Sequence, residues 1–153
     1  MNFTAKEDYG LRAVLDLAVN DGGGPVQTRE IAHRQRIPEQ FLEQLLAALR
    51  RAQVVRSTRG AGGGYALAAP PRQITVGQVL RALSGPLVPT ELLNSATDNG
   101  ASETRNVPEA AVIRGVWEAF ENAIRTVADG TTLQDLLDRR SEGMRDFGYM
   151  MHI

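Results

Sequence analysis

Apolar residues in the first fifth of the chain, Leu11, Val14, Leu15 and Ala18, recur at intervals of three and four, which gathers them on one face of a helix. Thr4 and Glu7 ahead of them have capping-box spacing, and Gly22-Gly23-Gly24-Pro25 ends the run. The pattern predicts a first helix that faces a core. Thr28 is expected to cap a short second helix reaching Gln35, and after a turn at Arg36-Ile37, Pro38 suits the first position of a third. Phe41, Leu42, Leu45, Leu46 and Leu49 then form a single apolar stripe. A short helix, a tight turn and a longer helix make the helix-turn-helix pattern. Beyond it the period changes. The β-branched run from Val54 to Thr58 and the alternating Tyr65-Ala66-Leu67 read as two short strands, and the glycines at Gly60, Gly62, Gly63 and Gly64 allow a tight connection between them. A hairpin with Arg59 at its tip, added to a helix-turn-helix, is a winged helix.

Farther along, Pro70-Pro71 stops the strand, Thr75 caps a short helix carrying Val76, Val79, Leu80 and Leu83, and Ser84-Gly85-Pro86 closes the head. The stretch from Asn94 to Val107 is small, polar and turn-rich, the composition of a mobile loop. A long helix is predicted from about Pro108 to Asp129. It places Ile113, Val116, Phe120, Ala123 and Val127 at heptad positions, with Trp117 and Ile124 widening the stripe. Such a stripe either packs within its own chain or forms a dimer seam. A head with its own core, and the two-fold symmetry of helix-turn-helix proteins on palindromes, favour the seam. The fold class is therefore mainly α with a small β-hairpin wing: a winged helix-turn-helix head and a long C-terminal dimerisation helix.

With 153 residues, 42% of them hydrophobic, the chain can bury one core. No run approaches the roughly 18 apolar residues of a membrane span, and the N-terminus lacks a signal peptide's apolar stretch, so a cytoplasmic location and no membrane partner are expected. There is no cysteine, and His33 and His152 are far apart, which removes disulfides, thiolate-ligated zinc or iron–sulfur sites and imidazole metal sites from the expectation. His33 reads as a surface residue of the second helix. No nucleophile and base pair is apparent, so an enzyme is not expected. The formal net charge of −1 conceals a division: residues 1–85 hold 11 Lys and Arg against 7 Asp and Glu, whereas residues 86–153 hold 6 against 11. The basic half is the candidate binding end.

The glycine loop is not a P-loop, since no Gly-Lys-Ser/Thr closes it. Neither is it a dinucleotide fingerprint, since Tyr65 stands where the last glycine belongs and a strand follows. A plain turn and a DNA contact remain. A cation on a thin loop suits the narrow minor groove, and the outward positions of the third helix, Glu39, Gln40, Glu43 and Gln44, suit base edges: Gln can bond adenine twice, and Glu accepts from cytosine while repelling phosphates. Arg50 and Arg51 at the far end of that helix, with Arg29, Arg34 and Arg56, suit phosphates, although arginines at a helix C-terminus also complement its dipole. The expected contacts to double-stranded DNA come from Thr28, Arg29, Pro38, Gln40, Glu43, Gln44, Arg51, Arg56, Arg59, Gly60, Gly62 and Tyr65.

The wing Arg59-Gly60-Ala61-Gly62-Gly63-Gly64-Tyr65, the helix Phe41-Leu42-Glu43-Gln44-Leu45-Leu46, the segment Tyr9-Gly10-Leu11-Arg12-Ala13 and the pair Val116-Trp117 resemble the Rrf-two family of bacterial winged-helix transcription regulators. The likeness runs from near Met1 to about Leu137. It implies homodimers, repressors for the most part, that bind palindromic operators, with Gln40, Glu43 and Gln44 in the major groove and Arg59 in the minor groove. It also implies a sensor in the loop before the dimer helix. The pattern along the chain divides it into a winged-helix head at 1–85, a sensor-type loop at 86–107, a dimerisation helix at 108–130 built on Ile113, Val116, Trp117, Phe120, Ile124 and Val127, and a short C-terminal helix and tail at 131–153. Family members that sense iron, nitric oxide or redox state carry three cysteines at the sensor, one of them three residues before a basic residue of the long helix. Here that position, three before Arg114, is Ala111. No cofactor is expected in this chain. Either it senses through a small molecule or a protein partner, or it is the cluster-free form of an iron–sulfur regulator whose cysteines were exchanged. A winged helix that binds protein rather than DNA is the rival reading.

Overall fold

The computed structural model describes residues 3–89, 93 and 107–151. Helix α1 (Ala5–Val19) begins at the expected capping box: the Glu7 carboxylate accepts from the Thr4 backbone N–H at 2.7 Å. Glu7 is only 5% exposed and also accepts from the Ser84 hydroxyl, which holds its carboxyl down to about 2 because that bond favours the charged form. The start of the first helix is thereby tied to the end of the fourth.

Helix α2 (Thr28–Gln35) starts one residue earlier than expected. Gln27, not Thr28, is the N-cap, and Glu30 reaches back to the Gln27 N–H at 3.2 Å, so Thr28 already lies inside the helix. Arg36 ends α2 in the left-handed conformation, at φ 54°. Pro38, expected at the first helical position, is instead the N-cap of α3 (Glu39–Arg51), its ψ of 125° being extended. Leu42, Leu45, Leu46 and Leu49 of α3 are fully buried, and Phe41 meets Tyr9 edge-on at 5.9 Å.

Strands β1 (Val55–Thr58) and β2 (Gly64–Leu67) pair antiparallel, Val55 with Leu67 and Thr58 with Gly64. The hairpin is joined to the connector between α1 and α2, because Tyr65 and Val26 exchange both backbone hydrogen bonds at 2.8 Å. Gly64 makes this joint possible. Its φ is 147°, and a Cβ there would lie 2.3 Å from the Val26 carbonyl oxygen.

A 3-10 turn (Pro71–Gln73) leads to α4 (Val76–Ser84), capped as expected by Thr75. The long α5 (Pro108–Gly130) returns to this cap: the Val76 N–H bonds the Thr131 carbonyl and the Leu133 N–H bonds that of Ile74, both at 2.9 Å. Arg81 clamps Asp129 with two bonds of 2.7 and 2.8 Å, which lowers the Asp129 carboxyl from its ordinary value. Gly77 leaves room for that clamp, since a Cβ there would stand 2.1 Å from the Asp129 carboxylate.

The expectation of a short C-terminal helix and tail at 131–153 is corrected. Helix α6 (Leu133–Met151) runs for 19 residues, opened by a reciprocal cap between Thr132 and Asp135. Leu133 is fully buried and Leu136 and Leu137 pack on the core. The head core is therefore completed by residues well past 85. An amphipathic stripe set among Gln134, Asp135, Asp138 and Arg139 finds its partner only when α1 and the 3-10 turn are in place beside it.

Candidate nucleic-acid interface

The core stripe of α3 fixes what the helix shows to solvent. With Leu42, Leu45, Leu46 and Leu49 buried, Gln40, Glu43 and Gln44 are exposed together, one turn apart, near its N-terminal end. Pro38 and Glu39 are exposed beside them. At the other end the Arg50 guanidinium donates to the Ser57 hydroxyl at 3.3 Å, linking α3 to the first strand of the wing. Arg51, Arg56 and Arg59 are exposed, and among the described residues none of the three has a carboxylate within ion-pair distance. Arg51 ends α3, Arg59 leads into the wing turn, and Arg56 lines a hollow beside Asn20 and Asp21. Exposed cations on the same helix and on the wing, with a row of amide and carboxylate side chains, suit a polyanion with readable edges.

The remaining expected contacts are placed as follows. Arg59 directly follows β1, and Gly60 and Gly62 are exposed in a turn closed by the Gly63 N–H on the Gly60 carbonyl at 3.0 Å. Arg29 is exposed and Thr28 half-buried in the first turn of α2. Tyr65 is half-buried against the core, its backbone occupied by Val26.

Arg34, read from the sequence as a phosphate contact, is corrected. Its Nε and Nη2 donate to the two carboxylate oxygens of Asp16 at 3.0 and 2.7 Å, and the Gln35 amide adds a third bond to Asp16 at 2.8 Å. Arg34 thus holds α2 against α1, and hydrogen bonding to Asp16 raises its already high pKa. Arg12 works alongside it: the guanidinium donates to the Gln35 carbonyl and to Asp8 at 3.2 Å and lies 5.3 Å from the centre of the Tyr9 ring. Asp16 is not among the residues expected from the sequence. Its signal was an acid set between Val14 and Leu17, in the arc that faces the core.

On α5, Ile113, Val116, Phe120 and Val127 are exposed, whereas Trp117 and Ile124 are half-buried, with the Trp117 and Phe120 rings 6.0 Å apart. The chain's own described residues leave Ile113, Val116, Phe120 and Val127 of this stripe uncovered. The expected sensor residues 94–106 lie outside the described residues. Among the described residues, no group of three or more His, Cys, Asp or Glu side chains could hold a metal ion, and no helix is long and apolar enough to cross a membrane.

A family model described as Rrf2, an iron-dependent transcriptional regulator, matches residues 3–139. The chain is 36% identical over 153 residues to the HTH-type transcriptional regulator CymR of Bacillus subtilis (strain 168), covering 100% of both. The solved structure of B. subtilis CymR, described as the global cysteine regulator, is similar with a TM-score of 0.71 and 35% identity over 91% of this chain and 98% of that one. The structure of T. potens IscR is similar with a TM-score of 0.72 and 38% identity, covering 94% of this chain and 90% of that one. The exposed face of α3, the glycine wing and these likenesses along the chain lead to one conclusion: it belongs to the Rrf2 family of winged-helix, DNA-binding transcription regulators.

Proposed function

We propose that the protein regulates transcription as a homodimer on palindromic DNA, mainly by repression, with α3 in the major groove, the wing in the minor groove and the apolar stripe of α5 as the dimer seam. The observation that carries this reading is the joint exposure of Gln40, Glu43 and Gln44 on α3, together with exposed Arg51 on the same helix and Arg56 and Arg59 on the hairpin, none of which has an ion-pair partner among the described residues. Gln40 and Gln44 offer paired bonds to adenine, and Glu43 rejects sequences that lack a donor opposite it. Arg51 and Arg56 neutralise phosphates, while Arg59 on its thin loop reads groove width. The protein acts by binding, not catalysis.

An iron–sulfur cluster does not fit this chain. Cluster irons need several thiolate or imidazole ligands, and the sequence has no cysteine and only two distant histidines. We therefore assign the input signal to a small molecule or a protein partner.

The test is operator binding over a salt series. Arg59→Ala is expected to cost about 1–3 kcal/mol and relax preference at the contacted step, whereas Arg51→Ala should weaken all duplexes alike and reduce the salt slope by about 1. Unchanged operator binding by Arg59→Ala refutes the wing assignment. No mobility shift on any duplex DNA favours a protein-binding winged helix.

A further inference from the structure

The face of α1 that carries Arg12 and Asp16 also lines a hollow. Arg12, Leu15, Asp16 and Val19 follow at intervals of three and four, so they share one side of the helix. Arg34 and Gln35 at the end of α2 form a second wall and Arg140 of α6 a third, bounding about 480 Å³. Small-molecule sites usually measure about 300–1,000 Å³.

The charges of these walls do not cancel. Three arginines meet one carboxylate, Asp16, and Arg34 with the Gln35 amide already engages both of its oxygens. Arg140 is exposed and, among the described residues, has no carboxylate within ion-pair distance. Between the arginines Leu15 and Val19 supply an aliphatic floor, Val19 being 50% exposed. Guanidinium forks at the edges match acid groups, and the hydrocarbon between them matches a carbon chain.

We propose that this hollow binds a small organic dicarboxylate, one acid group on Arg140 and the other on Arg12, with its carbon chain over Leu15 and Val19. This rests on the proposed control of DNA binding by a small molecule, and it gives that signal a site and a chemical class. The site reaches the DNA-reading helix through Arg12. Its bond to the Gln35 carbonyl fastens the last residue of α2, immediately before the left-handed Arg36 begins the turn into α3. A carboxylate that draws Arg12 from that carbonyl releases the turn and shifts α3 relative to the rest of the head.

Calorimetric titration with succinate, adipate and suberate at constant ionic strength tests the site without DNA. At least one of these acids should bind, and Arg140→Gln should weaken it at least about tenfold through loss of a charged hydrogen-bond donor. Arg139→Gln, at the neighbouring position of α6 but outside the hollow, should leave binding unchanged. Operator affinity should fall at least about fivefold when the acid saturates the wild-type protein, and Arg140→Gln should need at least about tenfold more acid for the same fall. No binding of any of the three acids, an equal loss with Arg139→Gln, or inorganic phosphate bound as tightly as the acids overturns the proposed site. Binding that leaves operator affinity unchanged overturns its role as the signal's entry point. A reduced salt slope of operator binding by acid-free Arg140→Gln overturns it as well, by assigning Arg140 to DNA phosphates. Failure of the DNA-binding reading is distinguishable, because the protein then shifts no duplex whether or not the acid binds.

Discussion

Replacing Arg34 separates a structural arginine from a DNA-binding one. Asp16 has a side chain only 5% exposed, whereas that of Arg34 is 48% exposed. Arg34→Gln therefore leaves a buried carboxylate with only the Gln35 amide, whereas Asp16→Asn leaves a guanidinium that can turn into water. Breaking a fully buried pair costs about 3–5 kcal/mol and an exposed one at most about 1. With one partner buried and the other half-exposed, Arg34→Gln should cost about 2–3 kcal/mol and Asp16→Asn about 1–2. The double variant should cost less than the sum, giving a coupling near 1 kcal/mol. Urea unfolding at one fixed protein concentration measures these differences, the fixed concentration removing any contribution from association. The same Arg34→Gln protein, assayed well below its unfolding midpoint, should keep the wild-type salt slope of operator binding, because no phosphate contact is lost. If Arg34→Gln leaves the urea midpoint in place and lowers the salt slope by about 1, the ion pair is not maintained in solution and Arg34 belongs to the DNA interface.

Three other outcomes are expected. Because Ser84 and Thr4 hold the Glu7 carboxyl at about 2, below the ordinary 4.5, Glu7 stabilises the head fully above pH 4.5 and the contribution disappears as pH falls toward 2. Glu7→Gln should lose up to about 3 kcal/mol at pH 7 and show a flatter acid limb in a stability–pH titration; an unaltered limb refutes the link between α1 and α4. The wild-type protein should sediment as a dimer at micromolar concentration and Phe120→Asp as a monomer or aggregate, with the emission of Trp117 reporting the change; a wild-type monomer removes the α5 seam. Anaerobic incubation with iron and sulfide should give a colourless protein after desalting with unchanged DNA affinity. Stoichiometric bound iron, or DNA binding that depends on added iron, would overturn the reading of a cluster-free regulator.

The sequence alone determined the elements whose causes are local. The Thr4 and Glu7 cap, the leucine stripe of α3, the glycine-bounded strands and the heptads of α5 are spacing and backbone effects within about ten residues; the two strands and α5 formed to within one residue of their expected bounds, whereas α1 stops at Val19, before the glycines expected to end it. The α3 face was legible for the same reason: burial of one stripe exposes the other side. The tertiary structure decided whatever depends on a partner far along the chain. Asp16 reads as an anomaly until Arg34 and Gln35, 18 and 19 residues later, meet its carboxylate. Leu133, Leu136 and Leu137 look like a weak stripe among charges until α1 closes over them, and Gly64 and Gly77 look like loop and helix faults until Val26 and Asp129 are placed against them. The physical reason is that a helix or turn nucleates on near neighbours, whereas burial, ion pairing and close backbone approach are properties of the assembled space.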